Sequence, residues 1–229
     1  MSTFADNVKA FNRSLQIRAK LPDGIGVLNP FRESPVALTC ADAFYDKFYA
    51  DNEPRRLLLG INPGRHGGGL TGVPFTDFKR LRDNCGIEVP EGYRSHEPSS
   101  EFVYEVVEAL GGATACYQQL YINSICPLGF VLQKAAGKVV NYNYYDDPAL
   151  QSAVEPFILS CLKAQIAFGC HTDWVIVMGK QNAAYLRSIN ERHKLFGDIR
   201  EVPHPRFIVQ YRRRMMDVYV AEYVQALAG

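Results

Sequence analysis

Four turns in this sequence carry side chains able to do chemistry. The first lies in GINPGRHGGGLTGVPF, residues 60–75, which holds six glycines and two prolines in sixteen positions. Such a backbone turns sharply and presents bare N–H groups, those around Gly64 included, to a ligand or to a neighbouring helix. It is not a Walker phosphate loop, because no GK[ST] follows, and GxGxxG is missing directly after the strand. Asn62, held before Pro63, has a carbonyl able to orient water and an amide able to donate; its other role is an Asx turn closing the strand end. Phe75 either stacks on a planar ligand or joins the core. The second turn lies in INSICPLGF at 122–130. The Asn123 amide can meet both a donor and an acceptor on a base edge, or satisfy buried backbone, and the single hydroxyl of Ser124 reads less. The third is Gly179-Lys180. In the fourth, Pro203-His204-Pro205, flanking prolines restrict the backbone that carries an imidazole, which serves either a ligand or the fold. Arg206, Arg212, Arg213 and Arg214 follow as phosphate contacts or as a solvated helix face, and Arg206 with Phe207 as a wedge for a duplex or as packing for a helix turn. Lys79, Arg80 and Arg82 form a weaker basic cluster.

These turns need elements to hold them. Phe4, Val8, Phe11 and Leu15 at helical spacing predict a helix over 3–19, and GVLNPFRESP reads as a loop. Ala37, Ala41, Phe44 and Phe48 predict a helix over 36–50, followed by a buried strand over 57–61. A helix over 99–110 precedes a strand in LYINSICPL. Asp146 or Asp147 caps a helix with Pro148 at its first position, running to Phe168. A strand over 174–178 ends at Gly179, a helix covers 180–189, IREVPHP supplies a fourth strand, and a last helix runs from about 208 to 227. This alternation predicts an α/β fold: one three-layer α/β/α domain with a central, mostly parallel, four-stranded sheet. The domain covers 1–229, with an N-terminal helical extension over about 1–35. All four turns then fall at strand carboxyl ends, where open α/β sheets bind ligands.

Composition narrows the chemistry. The 229 residues carry 25 Lys+Arg against 24 Asp+Glu, which excludes a uniformly electropositive surface. Residues 175–229 nevertheless hold nine Lys/Arg and five Asp/Glu, a local excess of positive charge. Six dispersed cysteines without a CxxC pair read as reduced core residues, and five histidines without HExxH or close ligand spacing predict no metal. A G-x-S-x-G elbow and a closely spaced carboxylate pair are both missing, which sets aside serine hydrolases and ordinary glycosidases. No apolar run approaches the roughly 20 residues that span a bilayer, and polar residues interrupt the start where a signal peptide needs an apolar segment. The expectation is a cytoplasmic chain.

Taken together, the segments at 60–75, 122–130 and 203–207 resemble the motifs of the uracil-DNA glycosylase superfamily, specifically its single-strand-selective monofunctional branch and bacterial relatives. The resemblance spans approximately 36–227. It implies a monofunctional DNA glycosylase of base excision repair that flips uracil, or another deaminated or oxidised base, out of DNA and hydrolyses its N-glycosidic bond. The alternatives are a preference for deaminated purines and a noncatalytic nucleic-acid-binding module. By this resemblance Asn62 positions the hydrolytic water, Phe75 stacks on the base, and His204 stabilises the leaving base through O2. Arg206 and Phe207 enter the duplex. An Asn two places before the Cys of C-P-L reads the uracil edge in the family; Ser124 stands there and Asn123 one place earlier, so assigning the edge to Asn123 requires a bulge or a changed register. The family's H-P-S-P-R is shortened to His204-Pro205-Arg206. Asn62 replaces the Asp of the classical enzymes, which implies weaker water activation. The cysteine set of the iron–sulfur branches is missing. The implied partner is single- or double-stranded DNA, with no cofactor and no obligate protein partner, and the chain is expected to be a monomer. Lys180 is the nearby amine that a Schiff-base lyase would need.

Overall fold

The structure, a computed structural model, describes residues 2–134 and 137–228. In chain order the helices and strands are α1 (Phe4–Ser14), β1 (Ile25–Leu28), α2 (Pro30–Glu33), α3 (Pro35–Phe48), β2 (Arg56–Gly60), α4 (Gly68–Thr71), α5 (Phe78–Asp83), α6 (Pro98–Ala109) and α7 (Gly112–Gln119). They continue with β3 (Leu120–Ser124), β4 (Gly129–Gln133), β5 (Val139–Tyr142), α8 (Pro148–Ala167), β6 (Trp174–Met178), α9 (Lys180–His193), β7 (Asp198–Val202), α10 (Pro205–Tyr211) and α11 (Met216–Ala228).

The central sheet has the order β3-β2-β6-β7 and every pair in it is parallel. Register is set by rows such as Ile122–Leu58–Ile176. Leu57, Leu58, Leu59, Val175, Ile176 and Val177 are at most 1% exposed, as expected of strands covered on both faces. Helix starts follow local chemistry. Thr3 and Asp6 form a reciprocal capping box on α1, Ser34 caps α3, and Asp147 caps α8 ahead of Pro148.

Several segments depart from the sequence reading. The first helix ends at Ser14, and Phe4 and Val8 are fully buried in the same core as the sheet. It is packed into the domain, against α3, and is not an appendage. The segment read as a loop contains β1 and α2. A second, antiparallel sheet, β1-β4-β5, was not legible: β1 is half-buried along its length, β4 runs from buried to exposed, and β5 is largely exposed, so none shows the buried apolar run that marks β2 and β6. The last helix is two helices, because Arg212 leaves helical geometry at φ −132° and ψ 23° and a 3-10 turn, Arg213–Met215, follows.

Candidate active site

Loops after β2, β6 and β7 open into one cavity of about 830 Å³. Asn62, Gly64 and Phe75 reach it from the loop after β2, Lys180 from the start of α9, and His204, Arg206, Phe207 and Arg213 from the segment after β7. Residues far apart in sequence meet because parallel strands place all their carboxyl ends on one edge.

The Asn62 side chain is clasped from the second sheet. Its Nδ2 donates to the Tyr142 carbonyl at 3.2 Å, and its Oδ1 accepts from Tyr144 N–H at 3.3 Å. It therefore does not close a local Asx turn. One N–H and one carbonyl lone pair stay available on an amide whose orientation is set. Asn141, also on β5, accepts from Arg65 N–H at 3.0 Å, so the second sheet braces the loop at two points.

Phe75 has φ +53°, uncommon for a bulky residue, and such strain persists where neighbours over-determine it. Here Thr71 Oγ1 donates to the Thr76 carbonyl at 2.6 Å and accepts from Val73 N–H at 3.1 Å, while Thr76 Oγ1 pairs with the Tyr104 hydroxyl at 3.0 Å. The ring lies directly over the end of β2. A Cβ at Gly60 would fall 2.5 Å from Phe75 Cζ, so the ring packs where only glycine leaves room.

His204 caps α10, its Nδ1 accepting from Arg206 N–H at 3.1 Å. A neutral imidazole that accepts at Nδ1 carries its proton on Nε2. Burial, with the nearby Arg206 charge, lowers its pKa to about 4, so the ring is neutral at ordinary pH. Its centroid is 6.3 Å from that of Phe75.

Around the mouth, Lys180 and Arg206 make no ion pair among the described residues, whereas Arg213 is paired with Glu101. Arg212 does not line the cavity; its guanidinium sits 5.3 Å over the Phe207 ring. Phe207 is 41% exposed and Tyr211 62%, their rings 5.9 Å apart, an exposed aromatic edge beside free cations.

Asn123 and Ser124 do not line the cavity. β3 is regular, so the two alternate. Asn123 shares a face with Tyr121, donating to its hydroxyl at 2.6 Å, and its Oδ1 accepts from Ser124 N–H at 2.8 Å. That face is covered by α1 and α3, as the contacts of Tyr121 with Phe4 and Tyr49 show. The bulge that would turn Asn123 towards a base is not present, and its amide is engaged inside the fold. Ser124 faces the other way: its Oγ would lie 3.5 Å from a Cβ on Gly60, on the Phe75 side of the sheet.

Glu97 lines the cavity and was missed by sequence reasoning. The available signal was slight: an acidic residue ahead of Pro98-Ser99-Ser100, where a helix begins. Among the described residues no group of three or more His, Cys, Asp or Glu could hold a metal, and all six cysteines are buried and unpaired. No described helix is long and apolar enough to cross a membrane.

The parallel four-stranded sheet thus carries at its carboxyl edge a cavity lined by Asn62 and Gly64 from the loop after β2 and by His204 from the turn after β7. The family model of the uracil-DNA glycosylase superfamily matches residues 47–228, and the chain belongs to that superfamily. Its structure is similar to the crystal structure of wild-type SMUG2 from Pedobacter heparinus, with a TM-score of 0.96 and 46% sequence identity, covering 100% of this chain and 98% of that one. No curated protein matches.

Proposed function

We propose that the chain is a monofunctional DNA glycosylase that hydrolyses the N-glycosidic bond of uracil in DNA. The observation that carries this reading is the convergence of Asn62, Phe75 and His204 on one cavity. A base in a stacked duplex is out of reach, so the nucleotide must rotate out of the helix, with Phe207 and Arg206 at the mouth occupying the gap. Phe75 stacks on the flipped base. The C1′–N1 bond breaks with its electron pair going to the base, and the Nε2–H of His204 donates to O2, where negative charge develops. Asn62 orients a water whose oxygen bonds to C1′; the proton it loses neutralises the departing base through solvent. The products are free uracil and an intact abasic strand. No amine attack is required, and Lys180 serves as a phosphate contact at the mouth.

The test is release of free base from a uracil-containing oligonucleotide, single- and double-stranded, read by mass without added metal. Uracil release with the strand left uncleaved is expected. DNA affinity without release of uracil, oxidised pyrimidines or deaminated purines would support the noncatalytic reading instead.

Gly60 gives a further test. Gly60→Ala places a methyl against the Phe75 ring and displaces the stacking surface, so the single-turnover rate is expected to fall about tenfold with DNA binding retained. An unchanged rate would separate the Phe75 position from catalysis.

A further inference from the structure

Glu97 is the cavity group that the chemistry above leaves unused. It stands just before Pro98 at the start of α6, with its backbone N–H donating to Asp77 at 2.8 Å. Its Oε2 accepts from the Ser100 hydroxyl at 3.0 Å, and its Oε1 takes no hydrogen bond from any described residue. The carboxyl fills the volume that side chains at 64 and 67 would need. A Cβ at Gly64 would lie 3.3 Å from Oε1, and one at Gly67 would collide with Oε2. The loop that carries Asn62 is thus bare at these two positions, and Glu97 supplies the polar wall of the cavity in their place.

Resting on the glycosylase reading, we propose that Glu97 is a further catalytic residue that meets the flipped base as a neutral carboxylic acid, its O–H donating a hydrogen bond to a carbonyl of the departing base. The proton stays on Glu97 throughout, so bond cleavage and water addition balance as before. The reason is electrostatic. As C1′–N1 lengthens the base becomes anionic; a carboxylate in the same cavity repels that charge, whereas a carboxylic acid stabilises it.

The surroundings favour the acid form. Burial, reinforced by the Asp77 carboxylate, raises the Glu97 pKa to about 7 against the opposing effects of the Ser100 hydroxyl and Arg80. The other charged or titratable groups lining the cavity are His66 on the glycine-rich loop, His96 beside Asp77, Glu101 on α6 paired with Arg213, Tyr142 on β5 with Tyr145 just beyond it, Tyr211 at the end of α10, and Lys180, His204 and Arg206 at the mouth. His204 titrates near 4 and so does not contribute to a transition near neutrality.

The test is the single-turnover rate of uracil release between about pH 5.5 and 8.5 for wild type, Glu97→Gln and Glu97→Ala. The wild-type rate is expected to fall through about pH 7, approaching tenfold per unit above it, as the acid ionises. Glu97→Gln keeps the shape and a donor without ionising, and its profile is flat; Glu97→Ala is slow throughout. Parallel profiles for wild type and Glu97→Gln overturn the proposal, as does a folded, DNA-binding Glu97→Gln that releases no base at any pH. Should Glu97→Gln fail to fold, Ser100→Ala removes the hydrogen bond that favours the carboxylate, and the falling limb moves to higher pH; an unmoved limb overturns the proposal. No release by wild type at any pH fails the glycosylase reading itself, and this proposal with it.

Discussion

Asn62→Ala is expected to lower the single-turnover rate of uracil release by about 10² to 10³, while DNA affinity changes little. The size follows from how the amide is held. Because the Tyr142 carbonyl and the Tyr144 N–H fix both ends of the side chain, Asn62 directs water without reorganising during the reaction, and no mobile neighbour replaces it. Asn62→Asp does not recover the rate, although a carboxylate is the stronger base. The atom that replaces Nδ2 is an oxygen facing the Tyr142 carbonyl at 3.2 Å, a contact between two acceptors that drives the side chain out of position. Equal rates in wild type and Asn62→Ala at saturating enzyme would remove this side chain from the mechanism.

His204→Ala is expected to cost about 10² in rate, since a single donor aimed at developing charge is worth that much. It also removes the cap of α10, a loss of about 1 kcal/mol of stability. His204→Asn keeps a cap acceptor and separates the two effects: it restores the unfolding temperature without restoring the full rate. The imidazole carries its own pH signature. With a folded pKa of about 4 against an unfolded value near 6.5, its contribution to stability is complete above 6.5 and is lost as pH falls through 4. The thermal unfolding temperature of wild type should therefore drop more steeply between those values than that of His204→Asn, and parallel slopes would contradict a desolvated imidazole. Protonation of His204 likewise does not limit the rate between pH 5 and 6.5.

Strands β2 and β6 were legible because each is a short apolar run that ends at or beside a glycine, the pattern that burial on both faces demands, whereas the edge strand β7 alternates buried and more exposed residues ahead of Pro203. Their carboxyl ends then located Asn62, Phe75, Lys180 and His204 on one edge without any knowledge of contacts. The small sheet was not legible, and with it went the partners of Asn62. Asn123 was drawn to the base edge by the chemistry of its amide, but strand alternation is a stronger constraint than side-chain suitability, and it sends Asn123 to the face covered by α1 and α3.

What the amino-acid sequence determined by itself was the order of the four central strands and of the longer helices around them, with the identity of the turns, since helix caps, glycine, proline and apolar periodicity act over a few residues. What only the tertiary structure decided was the company each side chain keeps. The amide of Asn62 is oriented by backbone eighty positions away, and Glu97 enters the cavity because Gly64 and Gly67, about thirty positions before it, leave the space empty. Such pairings leave no local trace, because they depend on loop ends brought together by a sheet edge and on volume that no neighbour in sequence fills.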